Sequence, residues 1–395
     1  MTAITNLAGA SNFVLQEVLG GYSDEAYTNA KKLSGTGIVS GNPEIVTDGE
    51  SFIGQMRWYK PMNPTVNVAS LTNATDGTTS TYSSDYLTYI KTVRTHGASK
   101  VNMQQVVTQV DGLAKIGRDF GETKAQDEHD AILAVLRGVM ISEVLNGTAA
   151  GSGATGLGGQ TFTNDPTDKK YGFYVDLGAA KNIVDATGTV QGAARAEGFL
   201  KAFGMAFKDY EPEYAYLVCS PETVASLRSA NLVDQDRVSE GNVNFSTIFG
   251  GKFRLIQTRA SQGLSGPEFS KVNTGAGVDL VGQKTSFIVL PGAIAMEPIA
   301  VPDSVEIERK AAAYGGGGTT QIWYRWGYIA HPAGYNWAGT PDAFPSNASY
   351  QYAVEGSTPL ALTSVVSGTL ASTKGVWERK QSSALSLGIL PVFHS

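Results

Sequence analysis

RWGYIAHPAGYNWAG, residues 325–339, sets a histidine and a proline among Trp326, Tyr328, Tyr335 and Trp337, with Trp323 just upstream. Two readings compete for this stretch. A histidine in an aromatic pocket suits catalysis or metal binding; the same residues suit a buried wall at the end of a strand. The other three histidines, His96, His129 and His394, lie far away in sequence, and no two suggest a shared site. Pro332 cannot donate to a sheet ladder, so it marks the exit of a strand rather than its middle. Both features favour the wall.

Working upstream, TQIWYRWGYIAH and SVEIER read as strands joined by KAAAYGGGGT, whose glycines suit a flexible turn. Before them come the apolar strand SFIVL and the connection PGAIA. Residues 285–340 therefore read as a run of strands. Upstream, residues 186–284 read as helices and strands. Within that span an amphipathic helix carries Phe199, Leu200, Phe203 and Phe207 on one face. The buried strand YAYLVC leads into a second helix, capped by Ser220 with Pro221 at its first position.

In the span 101–185, Ala125, His129, Ile132, Leu133, Leu136, Val139, Met140 and Val144 fall on one helical stripe. Val106, Val110, Leu113 and Phe120 lie near helical spacing before it, and Gly117 and Gly121 are expected to kink or divide the two segments. The wall reading places Trp326, Tyr328 and Trp337 against Leu133, Leu136 and Met140. Residues 51–100 read as a long β-hairpin: TVNVASL alternates Val66 and Val68, DYLTYIKTV is rich in aromatic and β-branched residues, and Asp76-Gly77 marks a turn between them. Residues 1–50 read as an extended arm, with one or two helical turns over Phe13–Leu19. Residues 341–395, rich in Ser and Thr, read as a weakly β-like C-terminal extension.

Composition narrows the function classes. Charged residues are 17% of the chain, against about 25% in ordinary domains. Glycine supplies 46 of the 395 residues. No run approaches the ~20 apolar residues of a membrane span, so partner subunits are the expected cover for a surface so poor in charge. The formal net charge is -6 and the basic residues are scattered singly, which argues against a nucleic-acid-binding face. A single cysteine, Cys219, excludes an intrachain disulfide and a thiolate zinc site within one chain.

The remaining chemical motifs are weak. GSGATG, Gly151–Gly156, matches a phosphate-loop pattern, but it follows a helix and no helix start succeeds it, so a mobile loop is the better reading. DEHD, Asp127–Asp130, offers metal-ligand residue types without the i,i+3 or i,i+4 spacing, and a solvated helix face is expected. Cys219 ends an apolar strand and is read as a buried residue rather than a nucleophile. No cofactor, metal site or catalytic residue is expected.

The order from Thr285 to Trp337, ending in His331-Pro332-Ala333-Gly334-Tyr335-Asn336-Trp337, resembles the C-terminal part of tailed-bacteriophage major capsid proteins of the Hong Kong 97 type. There the sheet of the peripheral domain closes with an H-P-x-G-aromatic-x-Trp-like sequence. The layout before it is also similar, over roughly residues 50–340. The resemblance implies an α+β Hong Kong 97-type capsid fold. Its parts would be an N-terminal arm (1–50), an extended β-hairpin loop (51–100), a peripheral domain with a long spine helix (101–185), a central or axial α/β domain (186–284) and returning peripheral strands (285–340).

It further implies a major capsid protein, not an enzyme. Such proteins self-assemble as hexamers and pentamers into an icosahedral shell that encloses double-stranded DNA without sequence-specific binding. They are assembled in the host cytoplasm and found in the virion. Portal protein, and scaffolding or cement proteins, are implied partners. The hairpin residues Trp58, Tyr59, Lys60, Val66, Val68, Tyr86 and Tyr89 are then candidate contacts with a neighbouring subunit. An isopeptide bond of the kind some relatives make would draw on Lys60 or Lys91 and Asn336.

A hairpin beginning near residue 50 leaves no room for the long, charged, helical scaffold segment of other relatives, so a separate scaffolding protein or none is expected. The residues past Trp337 exceed what the simplest relatives carry. The rival readings are an encapsulin-type nanocompartment shell, and an enzyme whose glycine loop binds a phosphorylated ligand. The wall reading predicts that His331→Ala leaves assembly largely intact, whereas Trp337→Ala costs ~3–5 kcal/mol if its ring is buried. Thermal melts compare the two variants, and equal losses contradict the reading.

Overall fold

Apolar and polar residues alternate along TTQIWYRWGYIAHP, and they form one strand, Thr319–Pro332. Ile322, Tyr324, Trp326 and Tyr328 point inward and are buried; Trp323 points outward and keeps 40% of its surface. The computed structural model describes residues 19–31, 33–47, 51–59, 84–101, 112–149, 175–176, 198–207, 212–229, 231–240, 243–258, 284–339, 344–347, 349–350, 353–355, 358–359, 374–380 and 387–394. The hairpin tip with Lys60, Val66 and Val68, the side chain of Tyr59, and the glycine loop 151–156 lie outside them.

The long strand is the axis of a six-stranded sheet. One edge pairs antiparallel with two strands in turn: Ile294–Ile299, with Ile294 opposite Pro332, and Val305–Lys310, with Lys310 opposite Thr319. The other edge carries Ser84–Val101, from Lys91 opposite Ile329 to Val101 opposite Thr319. Val39–Ser40 joins Ile294–Ile299 in parallel, and Ile53–Tyr59 pairs with residues 84–90 of the returning strand. The inner face of this sheet rests on a long helix, where Phe120 stacks on Tyr324 with ring centroids 5.4 Å apart.

That helix is a single element, Gly112–Ala149. The expected division at Gly117 and Gly121 does not occur. Spaced i,i+4, the two glycines lie on one face and open a seat for a second helix over residues 19–30. A Cβ at position 121 would lie 2.1 Å from the Ser23 carbonyl oxygen and 2.7 Å from the Tyr27 nitrogen; at position 117 it would lie 2.9 Å from the Tyr22 Cβ. Tyr27 Oη donates to Glu128 Oε2 at 2.7 Å and Lys124 Nζ lies 4.4 Å from the Tyr27 ring centre. The arm is thus helical over residues 19–30 and extended where Val39–Ser40 joins the sheet.

A second, seven-stranded sheet has the order Val175–Asp176, Ile389–His394, Lys284–Val289, Ala215–Cys219, Phe253–Gln257, Val243–Ile248, Val233–Glu240. Ala215–Cys219 is buried along its whole length and leads into the helix Pro221–Ser229, whose Thr223 N–H is capped by Ser220 Oγ at 3.2 Å. The helix Gly198–Ala206 covers this sheet with Phe199 and Phe203. One hydrophobic core runs through the long helix and both sheets.

Two features differ from the expected division. The SFIVL strand belongs to this second sheet and not to the returning set, because Phe287, Ile288 and Val289 are all fully buried and need cover on both faces. Leu290–Ala293 then carries the chain across to the first sheet. Residues 389–394 are no appendage either: they pair antiparallel with Lys284–Val289 inside the sheet. Among the described residues no helix is long and apolar enough to cross a membrane.

Gly121→Ala is expected to push the arm helix from its seat. Overpacking of ~1–3 kcal/mol exceeds the ~1 kcal/mol gained in helix propensity. The variant should melt lower than the parent and be cut faster by protease within residues 19–31. An unchanged cleavage rate would show that the glycine seat does not hold the arm.

Candidate assembly surface

The hairpin root is built on a period of two. Met56 pairs with Leu87 and Arg57 with Tyr86. Met56, Trp58, Leu87 and Tyr89 face inward and join Ile45, Ala295 and Ile329 in a small core of their own. Tyr89 Oη accepts from the Val46 N–H at 3.0 Å and donates to the Val46 carbonyl at 2.9 Å. Its ring lies across Gly54, where a Cβ would come within 2.1 Å of it. Trp58 and Tyr89 are therefore spent on the chain's own body, which corrects their assignment to a neighbour's surface. Tyr86, on the other face, keeps 55% of its surface.

Lys91 is buried and its Nζ donates to the Thr47 carbonyl at 2.9 Å; Asn336 Oδ1 accepts from the Thr88 N–H at 2.7 Å. Of the three residues named for an isopeptide bond, Lys91 and Asn336 thus have partners inside the chain, and Lys60 lies outside the described residues. The large apolar residues left exposed among the described ones are Val46, Phe52, Tyr86, Tyr314, Trp323 and Phe344. All lie on the arm, hairpin, first sheet or the segment after it, and none on the second sheet. Phe52 and Phe344 meet edge to face at 4.8 Å. Tyr314 tips the turn between Val305–Lys310 and the long strand at a left-handed φ of 56°, a position that disfavours a bulky side chain.

The aromatic wall lies behind the hairpin. His331 is buried and meets the Trp377 ring edge to face at 5.6 Å. Trp337 packs edge to face on Trp377 at 5.1 Å, and Tyr350 stacks parallel to Trp377 at 6.1 Å. Tyr335–Trp337 pairs antiparallel with Trp377–Arg379. The wall closes on the helix through residues that sequence reading left in the extension. A Cβ at Gly138 would fall 1.8 Å from the Tyr350 carbonyl oxygen, and the Trp377 N–H donates to Ser142 Oγ at 3.2 Å. Buried Glu143 pairs with Arg379 at 3.3 Å. Leu133, Leu136 and Met140 are buried in the same core as Trp326, Tyr328 and Trp337. Pro332 ends the long strand.

Trp326 and Tyr328 reach the helix differently from expectation, through a carboxylate. Trp326 Nε1 and Tyr328 Oη both donate to Asp127 Oδ2, at 3.1 and 2.9 Å. Arg94 Nε lies 3.4 Å from Asp127 Oδ1, and Asn347 Nδ2 donates to the same oxygen at 3.3 Å. The DEHD segment is consequently not a solvated face: Glu128 and His129 are buried and Asp127 is largely covered. Sheet and arm cover adjacent flanks of the helix, so consecutive residues that point apart each meet protein. A signal was present in the sequence, since inward-facing indole and phenol groups need an acceptor.

Chemistry elsewhere is muted. Among the described residues no group of three His, Cys, Asp or Glu is arranged to hold a metal. Burial pushes the Cys219 thiol up to about 12, with a hydrogen bond from Ser286 opposing, so it is inert at neutral pH. Burial pushes the His331 imidazole down to about 3, opposed by a backbone hydrogen bond at Tyr335. It is neutral at physiological pH and acts as a packing group.

No family model and no curated protein matches the chain. Solved structures similar to it include bacteriophage capsids. The acidic stable capsid structure of Helicobacter pylori bacteriophage KHP30 is 9% identical with a TM-score of 0.45, covering 91% of this chain and 89% of that one. The mature capsid of bacteriophage PhiM1 is 15% identical with a TM-score of 0.44, covering 75% and 83%. The capsid of Ralstonia phage GP4 is 12% identical with a TM-score of 0.42, covering 75% and 82%.

The wall makes two predictions. Trp337 keeps only 5% of its surface, so Trp337→Ala should cost ~3–5 kcal/mol. His331→Ala is not innocuous, contrary to the expectation from sequence, because it empties a site beneath Trp377; a loss of at least ~2 kcal/mol is expected. The second prediction concerns acid. The unfolded histidine binds a proton below pH 6.5 and the folded one only below about 3. The unfolded state thus holds more protons between these values, and folding weakens as pH falls, by up to ~1.4 kcal/mol per pH unit. Urea melts of the parent and His331→Phe at pH 7, 6, 5 and 4 should diverge by this slope; parallel curves would remove His331 as an acid-sensitive group.

Proposed function

We propose that this chain is the major capsid protein of a tailed bacteriophage, with a Hong Kong 97-type fold. In this reading it self-assembles through hexamers and pentamers into an icosahedral shell around double-stranded DNA. The observation that carries the reading is the hairpin. At Lys91 its pairing passes from the long strand to Ile53–Tyr59, and beyond that it keeps one face on its own chain and turns Arg57 and Tyr86 outward. None of the exposed large apolar residues among the described ones lies on the second sheet. A long hairpin of this kind is marginal unless it lies on something, and a second copy supplies that surface. Sparse charge suits the large contacts of obligate assemblies, ~2,000–5,000 Å².

The parts assign as follows. Residues 19–47 serve as the arm, 51–90 as the extended loop, and Gly112–Ala149 as the spine helix. The first sheet is the peripheral sheet and the second the axial sheet. In use, the hairpin's outer face with Tyr86, and the tip with Tyr59, Lys60, Val66 and Val68, lie on a neighbouring subunit. Heterologous contacts of this sort close into rings. DNA is enclosed rather than gripped, as the acidic balance and scattered basic residues require, and no catalytic step is involved. Portal, scaffolding or cement proteins would meet the shell in the virion, after assembly in the host cytoplasm.

The test is electron microscopy and sedimentation of the purified full chain, parent against Tyr86→Ser. The parent should form rings or closed particles; the variant should remain folded by circular dichroism with particle yield reduced at least ~10-fold, as expected for loss of a central aromatic contact. A parent that stays a monodisperse monomer over the same concentration range would sink the reading.

A further inference from the structure

Along Ser84–Val101 the pairing partner changes at one point. Residues 84–90 pair with Ile53–Tyr59, and from Lys91 onward the partner is the long strand. This handover is the mechanical root of the hairpin. Arg94 stands three residues beyond it and faces the helix. Its Nη1 donates to the Pro345 carbonyl at 2.6 Å, its Nη2 to Asn347 Oδ1 at 3.0 Å, and its Nε lies 3.4 Å from Asp127 Oδ1. Asn347 Nδ2 closes the ring on Asp127 Oδ1 at 3.3 Å.

The other oxygen, Oδ2, takes Trp326 Nε1 and Tyr328 Oη from the long strand. The segment 344–350 is pinned at both ends: Phe344 packs on Phe52 of the hairpin root, and Tyr350 Oη hydrogen-bonds Thr92 Oγ1. One carboxylate therefore ties the long helix to the returning strand, the long strand and segment 344–350, all converging under the point where the hairpin leaves the body. A planar, multiply bonded carboxylate–guanidinium centre fixes orientation as well as proximity.

We infer that Asp127 is the positioning residue that sets the angle of the hairpin, and so the pose in which a second copy of this chain meets it. The inference rests on the assembly reading above for its consequence, and on this chain's own geometry for its cause. The helix is a rigid beam, and the centre on Asp127 fixes the returning strand to it just beyond the handover. Remove the carboxylate, and Trp326, Tyr328, Arg94 and Asn347 lose their common acceptor while the apolar packing of the helix stays in place.

The test uses the full chain with Asp127→Asn, which keeps the shape but turns two donors at the site against an amide NH2. Leu217→Ala in the second sheet, with the melting temperature matched by a small amount of urea where needed, is the stability control. Hydrogen exchange should quicken at least 10-fold at residues 84–92 in Asp127→Asn, with 215–219 unchanged, and particle yield should fall at least 5-fold below that of the control. Asn347→Ala, which removes one bond and leaves the charge pair, should give the same regional pattern at smaller amplitude and covers the case in which Asp127→Asn fails to fold. Uniform exchange changes in both Asp127→Asn and Asn347→Ala, or a particle yield that follows melting temperature alone across all variants, would overturn the inference. A parent that forms no particles would instead overturn the assembly reading, and the exchange pattern would still decide the positioning role.

Discussion

A helix of 38 residues cannot keep an apolar stripe in water, and the rest of this fold is organised around covering it. At 1.5 Å per residue it is close to 57 Å long. The cover is assembled piece by piece. The arm helix and the first sheet take adjacent flanks over residues 117–128, and residues 350 and 375–377 take the stretch around Gly138 and Ser142. Close approach is bought with small residues. Gly117 and Gly121 admit the arm, Gly138 admits the Tyr350 carbonyl, and Gly375 meets Ser142. Each glycine inside a helix costs up to about 1 kcal/mol in propensity, and backbone-distance packing along the helix offsets it.

Covering the helix on several flanks has a second consequence: polar residues on it become buried. Asp127, Glu128 and Glu143 are all enclosed, and each is matched by groups brought from a distant part of the chain. Burying a carboxylate in this way adds little net stability, because desolvation opposes the attraction. Breaking one is costly, since the remaining partner is left charged in a poor solvent. Such centres therefore discriminate between arrangements more than they deepen the well. That distinction matters for a hairpin root, where apolar packing alone would tolerate a range of angles.

What the sequence disclosed is what local periodicity encodes. The long strand, the returning strand through DYLTYIKTV, the helix stripe from Ala125 to Met140 and the Ser220 cap were all readable, because each depends on residues within a few positions of one another; TVNVASL and Asp76-Gly77 lie outside the described residues, and the strand that pairs with the returning one is Ile53–Tyr59. What it concealed depends on encounters between distant segments. Gly117 and Gly121 look like breaks until the arm helix lies on them. DEHD looks solvated until Trp326, Tyr328 and Tyr27 arrive. Residues 389–394 sit in a Ser/Thr-rich context that masks a core strand, and Trp377 gives no local hint that it supports His331. Which residues of the hairpin root look outward was not legible. Only the register Met56–Leu87 against Arg57–Tyr86 separates the residues serving the chain from those facing outward.

That separation bears on why a surface so poor in charge does not defeat the protein. A hairpin whose two faces were both apolar would slip in register and aggregate through its edges. Here one face is locked, because Tyr89 is held at both the Val46 N–H and carbonyl and lies across Gly54. A one-residue slip would bring Tyr86 and Arg57 into the small core and expel Tyr89, losing those bonds at once. Register is fixed from within the chain, and the outer face is left to be read by whatever it meets. The same logic holds along the first sheet. Its inward residues are tied to the helix, while its outward face carries the Arg325–Glu306 ion pair at 2.6 Å beside exposed Trp323. The outward face thus sets a charged pair beside an exposed aromatic, while everything that fixes the register lies on the inward one.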